Sequence, residues 1–169
     1  MQTIKSLVLA SILVGLAACG GERSTPNNGA AAATPQEVHF TAKDFEFQGP
    51  DTIQAGMTTF VLTNEGPSWH HLQLIRLPEG MTLADFQQGM ASMTPGTPPP
   101  DWLFEAGGVN PPPPDGPARV TMQVDPGQYA VICVVDVPDH IPHVMKGMIK
   151  GLTVLPSTGT PAPDRKSVV

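Results

Sequence analysis

Residues 127–151 concentrate side chains that could bind a soft metal ion. Cys133 ends a strongly β-prone run of this stretch. The other candidate ligands, in the loop that follows, are His140, His143, Met145 and Met148. Thiolate and thioether sulfur select Cu(I) and related ions, and imidazole suits copper. The set therefore predicts a mononuclear copper site that needs one further ligand from elsewhere in the chain.

The further ligand is predicted at His70 or His71, at the start of the β-prone run over residues 70–77. Side chains alternate between the two faces of a strand. His70 shares its face with Leu72 and Leu74, whereas His71 shares its face with a glutamine. The purely apolar face is the better candidate for the core, so the pattern favours His70, with His71 as the alternative.

The loop offers two choices of histidine and two of methionine. His143 and Met148 enclose Gly147, which allows a tight bend. His140 and Met145 are the alternatives, the first beside an aspartate at a predicted loop tip and the second in mid-loop. We predict that His143 and Met148 are the ligands.

The N-terminus predicts export. Lys5 precedes an apolar segment, residues 7–18, that is shorter than the roughly 20 residues needed to span a bilayer as a helix. Residues 1–18 therefore fit a signal peptide. The sequence LAAC, ending at Cys19, resembles the lipobox of bacterial lipoproteins, with an ordinary signal peptide as the alternative. The resemblance implies lipidation of Cys19 and a membrane anchor in the bacterial cell envelope, and Gly20 favours the outer membrane.

The predicted export bears on the role of the second cysteine, Cys133. The chain has two cysteines, and the lipid would occupy Cys19. Cys133 would then be alone in an oxidising compartment, where structural thiols normally pair. Metal ligation explains an unpaired thiol there.

Composition predicts one folded domain with extensions at both ends. Residues 19–36 are rich in Pro, Ala and Asn and predict a flexible tether, residues 37–156 the domain, and residues 157–169 a disordered tail. The net charge of −6 with 14% charged residues argues against binding to nucleic acid.

The fold class is predicted as all-β. The chain contains 20 prolines and 17 glycines, and seven or so alternating runs are separated by turn residues, which favours an antiparallel sandwich. One short helix is predicted over residues 82–93, with Thr82 and Asp85 as a capping box. A long Pro-rich loop is predicted over residues 94–117.

Three segments then resemble the cupredoxins, the family of plastocyanin, azurin and copper nitrite reductase. They are NEGPSWHH, GQYAVIC and HVMKGM, and the resemblance covers residues 38–155. It implies a Greek-key β-sandwich. It also implies a type 1-like copper ion in a plane of His70, Cys133 and His143, with Met148 as a weak axial ligand.

The function expected from this resemblance is one-electron transfer with a redox partner protein in the cell envelope, through the exposed edge of His143. One alternative is a lipoprotein that stores copper or passes it between a donor and an acceptor. Another is a metal-free interaction module. An enzyme is not expected, because a single domain lacks the second copper centre that nitrite reductases and multicopper oxidases use.

Overall fold

The computed structural model describes residues 34–94, 97–112, 116–135 and 138–158. The predictions for the signal peptide, for Cys19, for most of the tether and for most of the tail lie outside these residues. Within the described part of the chain, no helix is both long enough and apolar enough to cross a membrane.

Nine strands, one α-helix and one 3₁₀ helix form within these residues. The strands are β1 (Gln36–Lys43), β2 (Glu46–Gln48), β3 (Thr52–Gln54), β4 (Gly56–Asn64), β5 (Leu72–Arg76), β6 (Phe104–Val109), β7 (Ala118–Val124), β8 (Gly127–Ile132) and β9 (Ile149–Leu155). The helix α1 spans Leu83–Ala91, and the 3₁₀ helix spans His143–Lys146.

The strands form two sheets, which confirms the predicted β-sandwich. One sheet has the order β2-β1-β4-β7 and the other the order β3-β9-β8-β5-β6. The sheets are mixed rather than purely antiparallel, since β1 pairs with β4 and β3 pairs with β9 in parallel. The antiparallel prediction was wrong for these two pairs because alternation along a strand shows which face is buried and not the direction of its neighbour.

The main core lies on the alternating apolar positions of the strands. Phe40 of β1 and Phe60 of β4 are buried with their ring centroids 6.4 Å apart. Leu74 and Val131 contribute from the other sheet. Cys133, directly after β8, belongs to the same buried cluster. The candidate metal ligand therefore lies within the apolar core.

A second buried cluster covers the other face of β5 and β8. Ile75 and Ile132 pack with Phe86 and Met90 of α1. Burial on both faces explains why Ile75 is as buried as Leu74 although the two side chains point in opposite directions. The predicted helix is thus confirmed, and it packs against the strand that leads to Cys133.

The predicted Pro-rich loop contains a strand that the sequence did not reveal. Strand β6 lies within it and pairs with β5 at the edge of the sheet. Glycines disfavour strands, so the segment has little β-propensity of its own. Here Gly108 is required by the pairing, because a Cβ at this position would lie 2.2 Å from the carbonyl oxygen of Leu72.

The capping box gives a direct test of the α1 assignment. The Thr82 hydroxyl accepts from the Asp85 amide at 3.1 Å, and the Asp85 carboxylate accepts from the Thr82 amide at 2.9 Å. We expect Thr82→Ala to lower the free energy of unfolding by about 1 kcal/mol, measured by urea denaturation. Gln87→Ala, on the exposed side of the same helix, is the control. Equal stability of the two variants would contradict the assignment.

Candidate metal centre

Three of the four predicted ligands meet at one point. His70, Cys133 and His143 each offer one ligand atom, and these atoms lie within 4.8 Å of one another. All three side chains are completely buried. Met148, the fourth predicted ligand, is also completely buried and belongs to the core cluster that contains Cys133.

The turn before His70 is shaped by Asn64. Its side-chain oxygen accepts from the Gly66 amide at 2.9 Å, and its side-chain nitrogen donates to the Ser68 carbonyl at 2.7 Å. Such an Asx turn replaces backbone hydrogen bonds where β4 ends. Because both ends of the turn are bound to Asn64, the backbone that carries His70 is fixed.

Asp44 orients the His70 ring. Its carboxylate oxygen lies 2.9 Å from Nε2 of His70 and can only accept, so the ring proton lies on Nε2. Nδ1 then keeps its lone pair, and it is a buried atom without a hydrogen-bond partner among the described residues. A carboxylate behind a ligating imidazole is a common arrangement in metal sites. Gly66 leaves room for this contact, because a Cβ there would lie 2.9 Å from Nε2.

Charge balance at Asp44 fits this role. Burial pushes the pKa of Asp44 upward, but hydrogen bonds from His70 and Ser68 outweigh it, so the pKa lies below its ordinary value. The carboxylate therefore stays ionised at neutral pH and continues to accept from His70.

Backbone hydrogen bonds fold the ligand loop back onto the Cys133 strand. The Val144 amide donates to the Cys133 carbonyl at 2.7 Å, and the His143 amide donates to the Val135 carbonyl at 3.2 Å. Sγ of Cys133 consequently lies 3.4 Å from Nδ1 of His143, a separation at which both atoms can bind one ion.

Gly147 ends the 3₁₀ helix and completes the loop. It has a φ of 96°, which confirms the tight bend predicted there. The Met148 amide then donates to the His143 carbonyl at 3.0 Å. This bond holds the two predicted ligands of the loop close together in the backbone.

The alternative ligands lie outside the cluster. His71 accepts from the Val134 amide through Nε2 at 3.3 Å. It therefore links the segment of His70 to the segment of Cys133, a bracing role that sequence reasoning missed. His140 and Met145 are both exposed. The structure thus places His70 and His143 in the cluster and their alternatives outside it, and it buries Met148 while Met145 is exposed.

The protonation states of Cys133 and His143 suit a metal ion that displaces the thiol proton on binding. Burial raises the pKa of the Cys133 thiol. Burial, followed by repulsion from His70, lowers the pKa of His143, so that imidazole is neutral at neutral pH. Metal ligation requires a thiolate and neutral imidazoles, and binding would release the thiol proton. A buried sulfur beside two imidazoles, one with a free lone pair, is a donor set that fits copper.

An aromatic ring covers the outer side of the cluster. Phe45 packs edge-on against His143, with ring centroids 5.3 Å apart and an interplanar angle of 77°. Nε2 of His143 is buried without a hydrogen-bond partner in the described residues. The expectation of an exposed His143 edge was therefore wrong. Phe45 lies in the turn between β1 and β2, and no local pattern in the sequence records a contact between this turn and His143.

The strand order and the positions of the clustered side chains point to the same fold. Two mixed sheets pack face to face, and the three clustered side chains come from the segment before β5, the end of β8 and the loop before β9. The domain has a cupredoxin-like fold. The resemblance inferred from NEGPSWHH, GQYAVIC and HVMKGM is thereby confirmed for the fold.

Solved structures similar to this cupredoxin-like domain include three auracyanins. The dithionite-reduced auracyanin of Roseiflexus castenholzii is 19% identical, with a TM-score of 0.47, over 72% of this chain and 98% of the auracyanin. Auracyanin B is 22% identical, with a TM-score of 0.48, over 73% and 91%. Auracyanin A, a "blue" copper protein of Chloroflexus aurantiacus, is 21% identical, with a TM-score of 0.45, over 72% and 99%. No family model and no curated protein matches the chain.

The buried histidines predict a pH dependence for the metal-free protein. In the unfolded chain His143 binds a proton near its ordinary pKa of about 6.5, whereas the folded chain binds it only at lower pH. The unfolded state therefore holds more protons as the pH falls from 7.5 to 5.5, and the free energy of unfolding should fall. Burial also lowers the pKa of His71, so this residue should contribute to the same fall in the free energy of unfolding.

His143→Gln should make this decline less steep, as measured by urea denaturation at several pH values. His140→Gln changes an exposed histidine and is the control. An unchanged slope in His143→Gln would show that the His143 imidazole is not held neutral by its surroundings.

Proposed function

We propose that this chain binds one copper ion and transfers single electrons. The buried cluster of His70, Cys133 and His143 is the observation that carries the proposal. One sulfur with two imidazoles and a weak thioether is the ligand set of blue copper sites. When bound, copper would supply the exchange between Cu(I) and Cu(II). Met148 would be the weak fourth ligand.

The chain's own part is to hold the ligands still. Hydrogen bonds at Asp44, Asn64 and the Cys133 carbonyl fix each ligand segment before any metal arrives. The apolar core around Cys133 excludes water from the sulfur. Such surroundings tune the potential of a metal site, and little rearrangement would accompany the gain or loss of an electron.

Burial favours an electron carrier over an enzyme. A catalytic metal site keeps one position open for water or substrate. The three clustered side chains are completely buried, and Phe45 covers His143. An electron could cross such a cover, whereas a substrate molecule would not reach a metal held behind it.

The same bracing separates the proposal from copper storage or delivery. A protein that passes copper on must let its ligands exchange one by one. Here His143 is bound through its amide to Val135 and through its carbonyl to Met148. These bonds support an ion that is held permanently. Copper storage or delivery is therefore the second candidate function, after electron transfer.

The setting that we propose is the bacterial cell envelope. The LAAC sequence at Cys19 supports a lipid anchor there, Gly20 supports its sorting to the outer membrane, and the tract that follows supports a tether. A tethered domain would exchange electrons with a redox partner protein near the membrane.

A copper titration tests the proposed site. The full chain carrying Cys19→Ser, which leaves Cys133 as its one thiol, should bind one equivalent of Cu(II) with an intense visible band from sulfur to copper. Cys133→Ser should abolish the band because the thiolate is lost. Absence of stoichiometric binding in the parent would refute the proposal.

Paired histidine variants test the ligand assignment with the same spectrum. We expect His143→Ala and His70→Ala to lose the band, because each removes a side chain of the cluster. His140→Ala and His71→Ala should keep it. Loss of the band in His140→Ala but not in His143→Ala would overturn the loop assignment. Reversible voltammetry of the parent would favour electron transfer over copper delivery.

Asp44→Asn tests the residue behind His70. Loss of the carboxylate charge should weaken the binding of Cu(II) more than the binding of Cu(I), so the reduction potential should rise. Residues of this kind change metal affinity by about 10-fold to 100-fold. Asp101→Asn, an exposed carboxylate beside Trp102, is the control. An unchanged Cu(II) affinity and potential in Asp44→Asn would contradict the role given to Asp44.

A further inference from the structure

We infer that Phe45 is a cover that closes the metal centre to small ligands from solvent, such as azide, chloride or imidazole. The inference rests on the proposed copper function, because it concerns access to that site. The role of Phe45 would be to protect the site and not to bind the metal.

The position of the ring is the first argument. Phe45 stands edge-on to His143 at 5.3 Å, and it is 38% exposed while His143 is completely buried. The phenyl ring therefore contacts a candidate ligand and is at the same time partly exposed to solvent. The ring lies where the imidazole would otherwise meet water.

The ligand loop itself holds the cover in place. Nζ of Lys146 lies 5.2 Å from the centroid of the Phe45 ring. The same nitrogen lies 2.6 Å from a carboxylate oxygen of Asp139. A cation over a ring face is attracted to it. Since Lys146 follows His143 in the 3₁₀ helix, the loop that carries the ligand also carries the group that binds the cover.

The backbone of Phe45 is the second argument. Its φ is 64°, in the left-handed region that bulky residues rarely adopt. Asn or Gly would form the same turn between β1 and β2 with less strain. Formation of the turn therefore does not explain a phenylalanine here, whereas contact of its ring with His143 and Lys146 does.

The neighbour of Phe45 makes the turn part of the metal centre. Asp44 binds His70 and Phe45 covers His143, so two adjacent residues reach two different candidate ligands. Asp44 contributes orientation and charge. Phe45 contributes an apolar barrier, and the turn forms the outer wall of the site.

Phe45→Gly tests the cover, because glycine fits the left-handed φ and removes the ring. In the Cys19→Ser chain loaded with Cu(II), we expect added imidazole or azide to change the visible spectrum of Phe45→Gly and to leave that of the parent unchanged. In the metal-free protein, Cys133 should react with a thiol reagent about tenfold faster or more in Phe45→Gly, because exposure governs thiol reactivity.

Three further variants complete the test, two of them as controls. Phe45→Leu keeps apolar bulk and should stay near the parent in both measurements. Lys146→Met keeps the alkyl chain but loses the cation over the ring, and should fall between the parent and Phe45→Gly. Phe104→Ala removes an exposed phenyl group from the opposite end of β5, where Phe104 pairs with Arg76, and should behave as the parent.

The two measurements separate the cover from the copper site. If the parent binds no copper, the proposed function fails, and the thiol reaction still decides whether Phe45 limits access. Parent-like spectra and parent-like thiol rates in folded Phe45→Gly would overturn the inference. Should Phe45→Gly not fold, Phe45→Asn, which also tolerates the left-handed φ, gives the same two readouts with the same deciding outcomes.

Discussion

The structure depends on the burial of three polar side chains at the end of an apolar core. His70, Cys133 and His143 are completely enclosed, and two of their ring nitrogens have no hydrogen-bond partner in the described residues. A buried polar atom left without a partner costs about 1–3 kcal/mol. An ion held in the cluster would compensate for this cost at Nδ1 of His70. The surrounding turns and loops are shaped to keep these atoms in place.

Each of the two candidate histidine ligands is fixed by a different kind of contact. The Asx turn at Asn64 and the Asp44 carboxylate fix His70, while backbone bonds to the Cys133 strand fix His143. His71 joins these two regions through Val134. Together these contacts hold the site rigid before a metal binds. Rigidity is the property that an electron-transfer protein needs, whereas a protein that delivers copper would have to loosen these contacts to release it.

Local patterns in the sequence predicted a large part of this arrangement. Alternation of apolar residues placed the core strands, the capping box placed α1, and the apolar face of His70, Leu72 and Leu74 distinguished His70 from His71. Alternation could not give strand direction, and this is why the two parallel pairs were missed. Strand β6 was missed because its glycines have no β-propensity, and only pairing with β5 makes it a strand.

The sequence by itself determined the types of the candidate ligands, their spacing and the sandwich, because these depend on side-chain chemistry and on periodicity over a few residues. The tertiary structure alone decided what surrounds the site. Asp44 and Phe45 contact His70 and His143 across long separations in the chain, and no local pattern records such contacts. The burial of His143 was likewise decided only when the turn between β1 and β2 packed against the ligand loop, since burial depends on neighbours that are distant in sequence.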